Sequence, residues 1–310
     1  MKKIYMLASL LLLFGAVTNS VEGQTISSLD IHPDVRGTGL AQSSVSLDGN
    51  ASSIYKNTSA ISFATASHAA SYSFTKWYGK NRLHALSGYY QLNDRHSLGL
   101  GVRYFDAEKV VNTTDGIQLQ EVSPYDVLLD LGYAFRVNTE LSLSANLRYI
   151  HSKLNEGPEI DRGNGWGADF GFTYRKDQLS VGGSVTGLGS KIDYGFDKYQ
   201  MPATLNLGTS YALVVADSHQ FTGALEGNYR MMPSDYSTFG AGAGLEYKYA
   251  DCVALRGGYR IGDKEKSPGS YGVIGGGVYY KLLAVDFAYI IAKHNSIIKD
   301  VWQISLGVRF

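Results

Sequence analysis

The sequence predicts an all-β fold: a transmembrane antiparallel β-barrel of about fourteen strands with an N-terminal plug segment. Three observations predict it. Long segments alternate apolar and polar residues with period two. The connections between these segments alternate between short and long. The polar face carries charge in strand after strand, and lipid would not tolerate that charge on the opposite face.

The first residues set the compartment. Lys2 and Lys3 form a charged start, and residues 4–17 are an apolar run containing Leu10, Leu11, Leu12, Leu13 and Phe14. Small or polar residues follow over 18–23. This is the pattern of a secretory leader, too short and too early for a spanning helix. Val21 and Gly23 meet the small-residue rule, so a signal peptide is expected over 1–23; cleavage after Ser20 is the alternative. Past the leader no apolar stretch is long enough to cross a bilayer as a helix, but barrel strands alternate and keep mean hydropathy low. The 36 Gly, 23 Tyr and 12 Phe among 310 residues, against 6 Pro, fit strands of that kind. Charge is balanced at 28 basic and 28 acidic residues, which removes the electrostatic case for nucleic acid. Cys252 stands alone, so an intrachain disulfide or a cysteine-based zinc site is impossible. A closed barrel, with every backbone group paired, would supply the stability that disulfides do not.

The alternation begins near residue 67. In the last segment Trp302, Ile304, Leu306, Val308 and Phe310 share one face, while Gln303, Ser305, Gly307 and Arg309 share the other. The same split separates Leu141, Leu143, Ala145, Leu147 and Tyr149 from Ser142, Ser144, Asn146 and Arg148. Strands are expected over 67–76, 83–92, 96–106, 124–136, 140–152, 165–175 and 179–188, then 202–214, 219–231, 237–249, 252–262, 270–280, 283–293 and 299–310. Short turns fall at 93–95, 137–139, 176–178, 216–218, 250–251 and 281–282. Longer connections fall at 77–82, 107–123, 153–164, 189–201, 232–236, 263–269 and 294–298. Short periplasmic turns facing longer outer loops are the mark of an outer-membrane barrel, and an even strand count puts both chain termini in the periplasm. A secreted β-sandwich also alternates. Its strands, however, average about five to six residues, shorter than these, and its outer faces are not lined with charge.

Residues 24–66 differ in character, with turn formers and glycines up to Ala41 and then a stretch rich in Ser, Ala and Asn. A barrel wider than about eight strands cannot be filled by its own side chains, so this segment is expected to fold back as a plug. The barrel itself is then 67–310.

Residues Leu29 to Ala41, with Ile31, Pro33, Asp34, Arg36 and Gly39, followed by the small-residue segment from Ser46 to Ala60, resemble the start of the PorV/PorQ family of Bacteroidetes outer-membrane proteins, and the PorV branch more closely. The family pattern ends its second element in Asn-Pro-Ala; here Asn57-Thr58-Ser59-Ala60 stands in its place. The resemblance implies a FadL-like barrel of fourteen strands with an N-terminal plug. It also implies a component of type IX protein secretion, with exported proteins or other parts of that system as partners. The alternative it implies is passive FadL-like uptake of small apolar ligands. Pro33, Asp34, Arg36, Gly39 and Asn57 are the candidate contacts between plug and lumen, Asp34 and Arg36 facing the lumenal charges.

Those charges are Arg103, Asp130, Arg136, Arg148, Asp169, Arg175, Glu226, Arg230, Glu246, Lys248, Arg256, Arg260, Asp286 and Arg309. Mutual pairing is their expected role, with binding of the plug or lining of a polar path as the alternative. No enzyme activity, cofactor or metal is expected. Histidines at 32, 68, 84, 96, 151, 219 and 294 form no helical zinc pair, and Ser142, Ser144 and His151 lie too far apart along a strand for nucleophilic catalysis. The Gly triplets at 240–244 and 275–277 lie inside strands, where they make room for the plug instead of cradling phosphate. Phe310, an aromatic last residue on an alternating strand, reads as an outer-membrane assembly signal. The expected surroundings are therefore outer-membrane lipid and the barrel-assembly machinery.

Overall fold

The computed structural model describes residues 27–114, 117–154, 162–195, 198–216, 218–294 and 296–310. The expected signal peptide over 1–23 lies outside them.

The strands of the first half are β1 (His68–Lys76), β2 (Arg82–Gln91), β3 (His96–Asp106), β4 (Val110–Thr114), β5 (Ile117–Val122), β6 (Tyr125–Arg136), β7 (Leu141–Lys153), β8 (Arg162–Lys176) and β9 (Leu179–Gly189). The second half holds β10 (Lys191–Asp193), β11 (Lys198–Gln200), β12 (Ala203–Val215), β13 (His219–Met232), β14 (Thr238–Tyr249), β15 (Val253–Gly262), β16 (Tyr271–Tyr280), β17 (Leu283–Ile291) and β18 (Trp302–Arg309). Fourteen of them close into one antiparallel barrel; β4–β5 and β10–β11 are separate two-stranded hairpins within the long loops. Closure comes from β1 against β18, with Ala69 opposite Arg309 and Lys76 opposite Trp302. Phe310 finishes the seam: it exchanges backbone hydrogen bonds with His68 and stacks on its ring, centroids 5.1 Å apart.

Period two fixes which side chains meet lipid. Leu245 is 72% exposed and the adjacent Glu246 only 3%, an inversion that makes sense only if the outer face meets an apolar medium. Leu100, Leu131, Phe170, Leu225, Leu255 and Leu306 continue the exposed apolar band around the wall. Interface aromatics pair with histidines: His96 bonds Tyr133, and His219 bonds Tyr247. Among the described residues no helix is long and apolar enough to cross a membrane, so crossing is left to the strands. The turn between β14 and β15 is tight, and Ala250 and Asp251 both adopt positive φ, as a two-residue hairpin turn of matching twist requires.

Two expectations need correction. The last strand is expected over 299–310 but starts at Trp302, because Asp300 turns the chain at φ 60° while Ile298 and Val301 are buried against Ala41, Tyr271, Val273 and Ile290. The long connections at 107–123 and 189–201 are not simple loops, since each carries one of the hairpins. The second hairpin turns inward: Ile192, Tyr194 and Met201 pack with Leu128 and Ile150 of the wall.

Residues 27–67 run down the lumen. The chain enters at the long-loop end, where Asp30 pairs with Arg230 near the top of β13, and it leaves at the short-turn end into β1. Between those points it forms a 3-10 turn at Ser27–Asp30, a short helix at Val35–Gly39 and 3-10 turns at Ala51–Tyr55 and Thr58–Phe63. Asn50 and Asn57 each accept a hydrogen bond at the start of a 3-10 turn, from Ser52 and Ser59 respectively, which is why turns begin there. Thr58, where the family pattern has Pro, is the first residue of its turn. At that position the amide has no intrahelical partner, so a proline there would forfeit no hydrogen bond of the turn.

Candidate functional site: the lumen, its plug and the outer cavity

Interior charges divide into a wall belt and a set of plug clamps. The belt runs strand to strand. Arg103 (β3) reaches Asp130 (β6) at 3.1 Å, Arg148 (β7) reaches the same carboxylate at 2.6 Å, and its other arm reaches Asp169 (β8) at 2.7 Å. Asp169 also accepts the Gly187 amide of β9 at 2.7 Å. These charges pair with one another, the role the sequence suggests, although the buried Nε of Arg103 has no hydrogen-bond partner among the described residues.

The clamps do something else. Arg36 grips Glu246 with two guanidinium nitrogens, at 3.0 and 2.6 Å, and Glu246 is shared with Arg256, itself bonded to Asp286 at 2.7 Å. Burial disfavours the Arg36 charge, but the Glu246 carboxylate outweighs it and raises the pKa above the usual arginine value. Glu226 accepts the amides of Ser44 and Val45, both at 2.9 Å, and pairs with Lys56 at 2.5 Å. Burial lowers the Lys56 pKa, with Glu226 opposing that shift. Arg175 pairs with Asp48. At the short-turn end Arg136 lies over the Phe63 ring, 4.6 Å from its centroid, closing the space beneath the plug. Binding of the plug, the less favoured role for these charges, is thus the part they play here. Lys56, which sequence reasoning passed over, supplies one of the partners. Its signal was visible: it is a lone cation in a Ser, Ala and Asn stretch that has to enter a charged lumen.

The five candidate contacts sit as follows. Arg36 is in a clamp. Gly39 comes within 3.6 Å, measured from a hypothetical Cβ, of the backbone of Gly275, so helix and wall meet where neither has a side chain. Asn57 donates to Val45 O, Phe172 O and Thr173 Oγ1 at 2.7, 3.0 and 3.1 Å, tying the plug to itself and to β8. Pro33 is buried just ahead of the short helix, and Asp34 precedes that helix at its N-cap position without a side-chain cap. Among the described residues Asp34 makes no ion pair, so of Asp34 and Arg36 only Arg36 engages a lumenal charge directly. The inward glycines serve the close approach: a methyl on Gly244 would stand 2.6 Å from Leu40 Cα. Ser142 is buried and bonded to Ser62 of the plug, whereas His151 bonds Asn164 at the surface, so the serine and histidine lie on opposite faces.

Above the plug, at the long-loop end, is a cavity of about 920 Å³. Its floor includes Asp30, His32 and Tyr55, and its rim includes Lys264, Lys266 and Lys293. Burial, and then the nearby cations Lys56, Arg260, Arg103 and Arg148, push the His32 pKa well below 6.5. Beside the cavity the wall is irregular. The β8–β9 register shifts between Ala168 and Phe170, and Gly187, at φ 75°, forms the extra position.

A model of the family described as type IX secretion system protein PorV matches residues 17–237, more than two thirds of the sequence. The chain belongs to the PorV family. Solved structures similar to this PorV-family barrel include the toluene transporter TodX of P. putida (TM-score 0.64, 14% identity, covering 88% of this chain and 97% of that one). The toluene transporter TbuX of Ralstonia pickettii is also similar (TM-score 0.64, 15% identity, 90% and 98% covered). So is a FadL homologue of Pseudomonas aeruginosa (TM-score 0.57, 12% identity, 93% and 100% covered). At those identities the likeness is one of fold. No curated protein matches the sequence. The chain is therefore an outer-membrane β-barrel of PorV type with a FadL-like architecture.

Proposed function

We propose that this barrel serves type IX protein secretion from the outer membrane of a Gram-negative bacterium, engaging exported proteins with its long loops. The observation that carries this reading is the match of the PorV family model over residues 17–237. Clamps at Glu226 and Glu246 hold the plug from two sides. In this reading residues 1–23 are a cleaved export leader, the short turns and Phe310 face the periplasm, and the long loops face outward. Phe310 acts in insertion, with the barrel-assembly machinery as its partner. The barrel is a carrier or docking protein without enzymatic activity.

A second reading, uptake of small apolar ligands, is favoured by one feature, the irregular β8–β9 wall beside the cavity, together with the transporters of similar fold. Site-specific photo-crosslinking separates the two readings. Crosslinkers in the 263–269 and 189–195 loops should capture exported proteins in growing cells. Capture of none, with normal uptake lost on deletion, would favour the second reading.

A further inference from the structure

The cavity above the plug carries a charge that the chain as a whole does not. The sequence is neutral, yet the cavity lining contains Arg103, Arg148, Arg230, Arg260, Lys264, Lys266 and Lys293 against two carboxylates, Asp30 and Glu265. Arg103 and Arg148 are neutralised by the wall belt and Arg230 by Asp30 at 2.5 Å. Arg260 is different. It lies half-buried on the inner face of β15 and donates to the amide oxygen of Asn228 at 2.6 Å, and among the described residues it has no carboxylate partner. The rim lysines Lys264, Lys266 and Lys293 also have no ion pair among the described residues.

A guanidinium left without a counterion in a walled cleft is unusual, because desolvation is normally offset by pairing. Its fork of donors matches carboxylate and phosphate geometry. Low-dielectric walls focus the field of the surrounding cations into the cleft and raise the local concentration of anions. A volume of about 920 Å³ falls within the range of small-ligand sites. The charge also speaks against a purely apolar occupant, which would leave Arg260 desolvated and unpaired.

We propose that this outer cavity binds a small oxyanion ligand, bearing carboxylate or phosphate, with Arg260 as its anchoring group and Lys293 and the 263–269 loop lysines drawing it in. The inference does not depend on the secretion reading and survives if that reading fails.

The test is isothermal titration of the purified full-length barrel in nonionic detergent with citrate, with inorganic phosphate and with dodecanol as a neutral apolar control. Saturable binding of citrate, phosphate or both is expected, and the stronger of the two identifies the preferred oxyanion. Arg260→Gln should weaken binding at least tenfold. Asn228→Asp, which keeps Arg260 but gives it a carboxylate partner, should do the same in a barrel that still shows heat-modifiable mobility. Lys293→Gln should weaken it a few-fold. Three results would overturn the proposal: neither anion binds at millimolar concentration, anion binding persists unchanged in both Arg260→Gln and Asn228→Asp, or dodecanol binds while the anions do not.

Discussion

Replacing Glu226 by glutamine should loosen the plug while leaving the barrel wall intact. In the parent, one carboxylate accepts the amides of Ser44 and Val45 at 2.9 Å each and pairs with buried Lys56 at 2.5 Å. Glutamine keeps the shape but presents one acceptor in place of two, and it leaves the Lys56 ammonium buried without a counter-charge. Removing one partner of a buried ion pair costs about 3–5 kcal/mol, because the desolvation of the survivor is no longer offset. At about 1.4 kcal/mol per decade this corresponds to roughly two to four decades in a local opening equilibrium. Amide hydrogen exchange reads that equilibrium at the affected groups: the Ser44 and Val45 amides should exchange a hundredfold faster or more, while amides of β13 and β14 hardly change. Adding Lys56→Met removes the stranded charge and should restore most of the protection. Exchange at Ser44 and Val45 within threefold of the parent in Glu226→Gln would refute the clamp.

Four further predictions rest on neighbouring features. Arg36→Ala should loosen the plug less than Glu226→Gln, by about 1.5–3 kcal/mol, because Glu246 keeps Arg256 at 2.6 Å; the same exchange experiment ranks the two. Gly244→Val should expel the segment around Leu40, whose Cα would lie 2.6 Å from even a first methyl, and limited proteolysis should then cut within 27–66 of an otherwise heat-modifiable barrel. His32 has a folded pKa held below 6.5, so the unfolded chain takes up the proton first and stability is lost as pH falls below about 6.5, by up to about 1.4 kcal/mol per pH unit. His32→Gln should therefore show a shallower loss of thermal midpoint between pH 7 and 5, and equal slopes would contradict the assignment. Phe310→Ala removes the ring stacked on His68 at the seam and should lower the amount of folded barrel in the outer membrane, measured by heat-modifiable mobility; normal amounts would leave Phe310 a packing residue only.

The wall was legible in the sequence because a strand that separates lipid from a polar lumen alternates residue by residue, and no local ambiguity survives over nine or more positions. At the last strand the reading overran: Ile298 and Val301 are apolar because they pack on Ala41 of the plug and on Tyr271, Val273 and Ile290 of the wall, not because they face lipid. The β10–β11 hairpin was invisible for the opposite reason. At three residues each, β10 and β11 are too short to show a period, and Ile192 and Tyr194 look like loop residues until the inward fold is seen. Arg36 was identifiable as a plug contact, but its partner was not, since five inward carboxylates were available and only three-dimensional register selects Glu246. The anchoring Arg260 stood in that same set of lumenal charges. Its lack of a partner is a property of the fold, where Asn228 and not a carboxylate lies opposite.

The central claim, that this PorV-family barrel takes part in protein secretion, is tested most directly by comparing the proteins of culture medium, cell surface and periplasm in a deletion strain and its parent by mass spectrometry. The account predicts that exported proteins accumulate in the periplasm of the deletion strain and return to the medium or surface when the intact gene is restored. An unchanged distribution of exported proteins would contradict it.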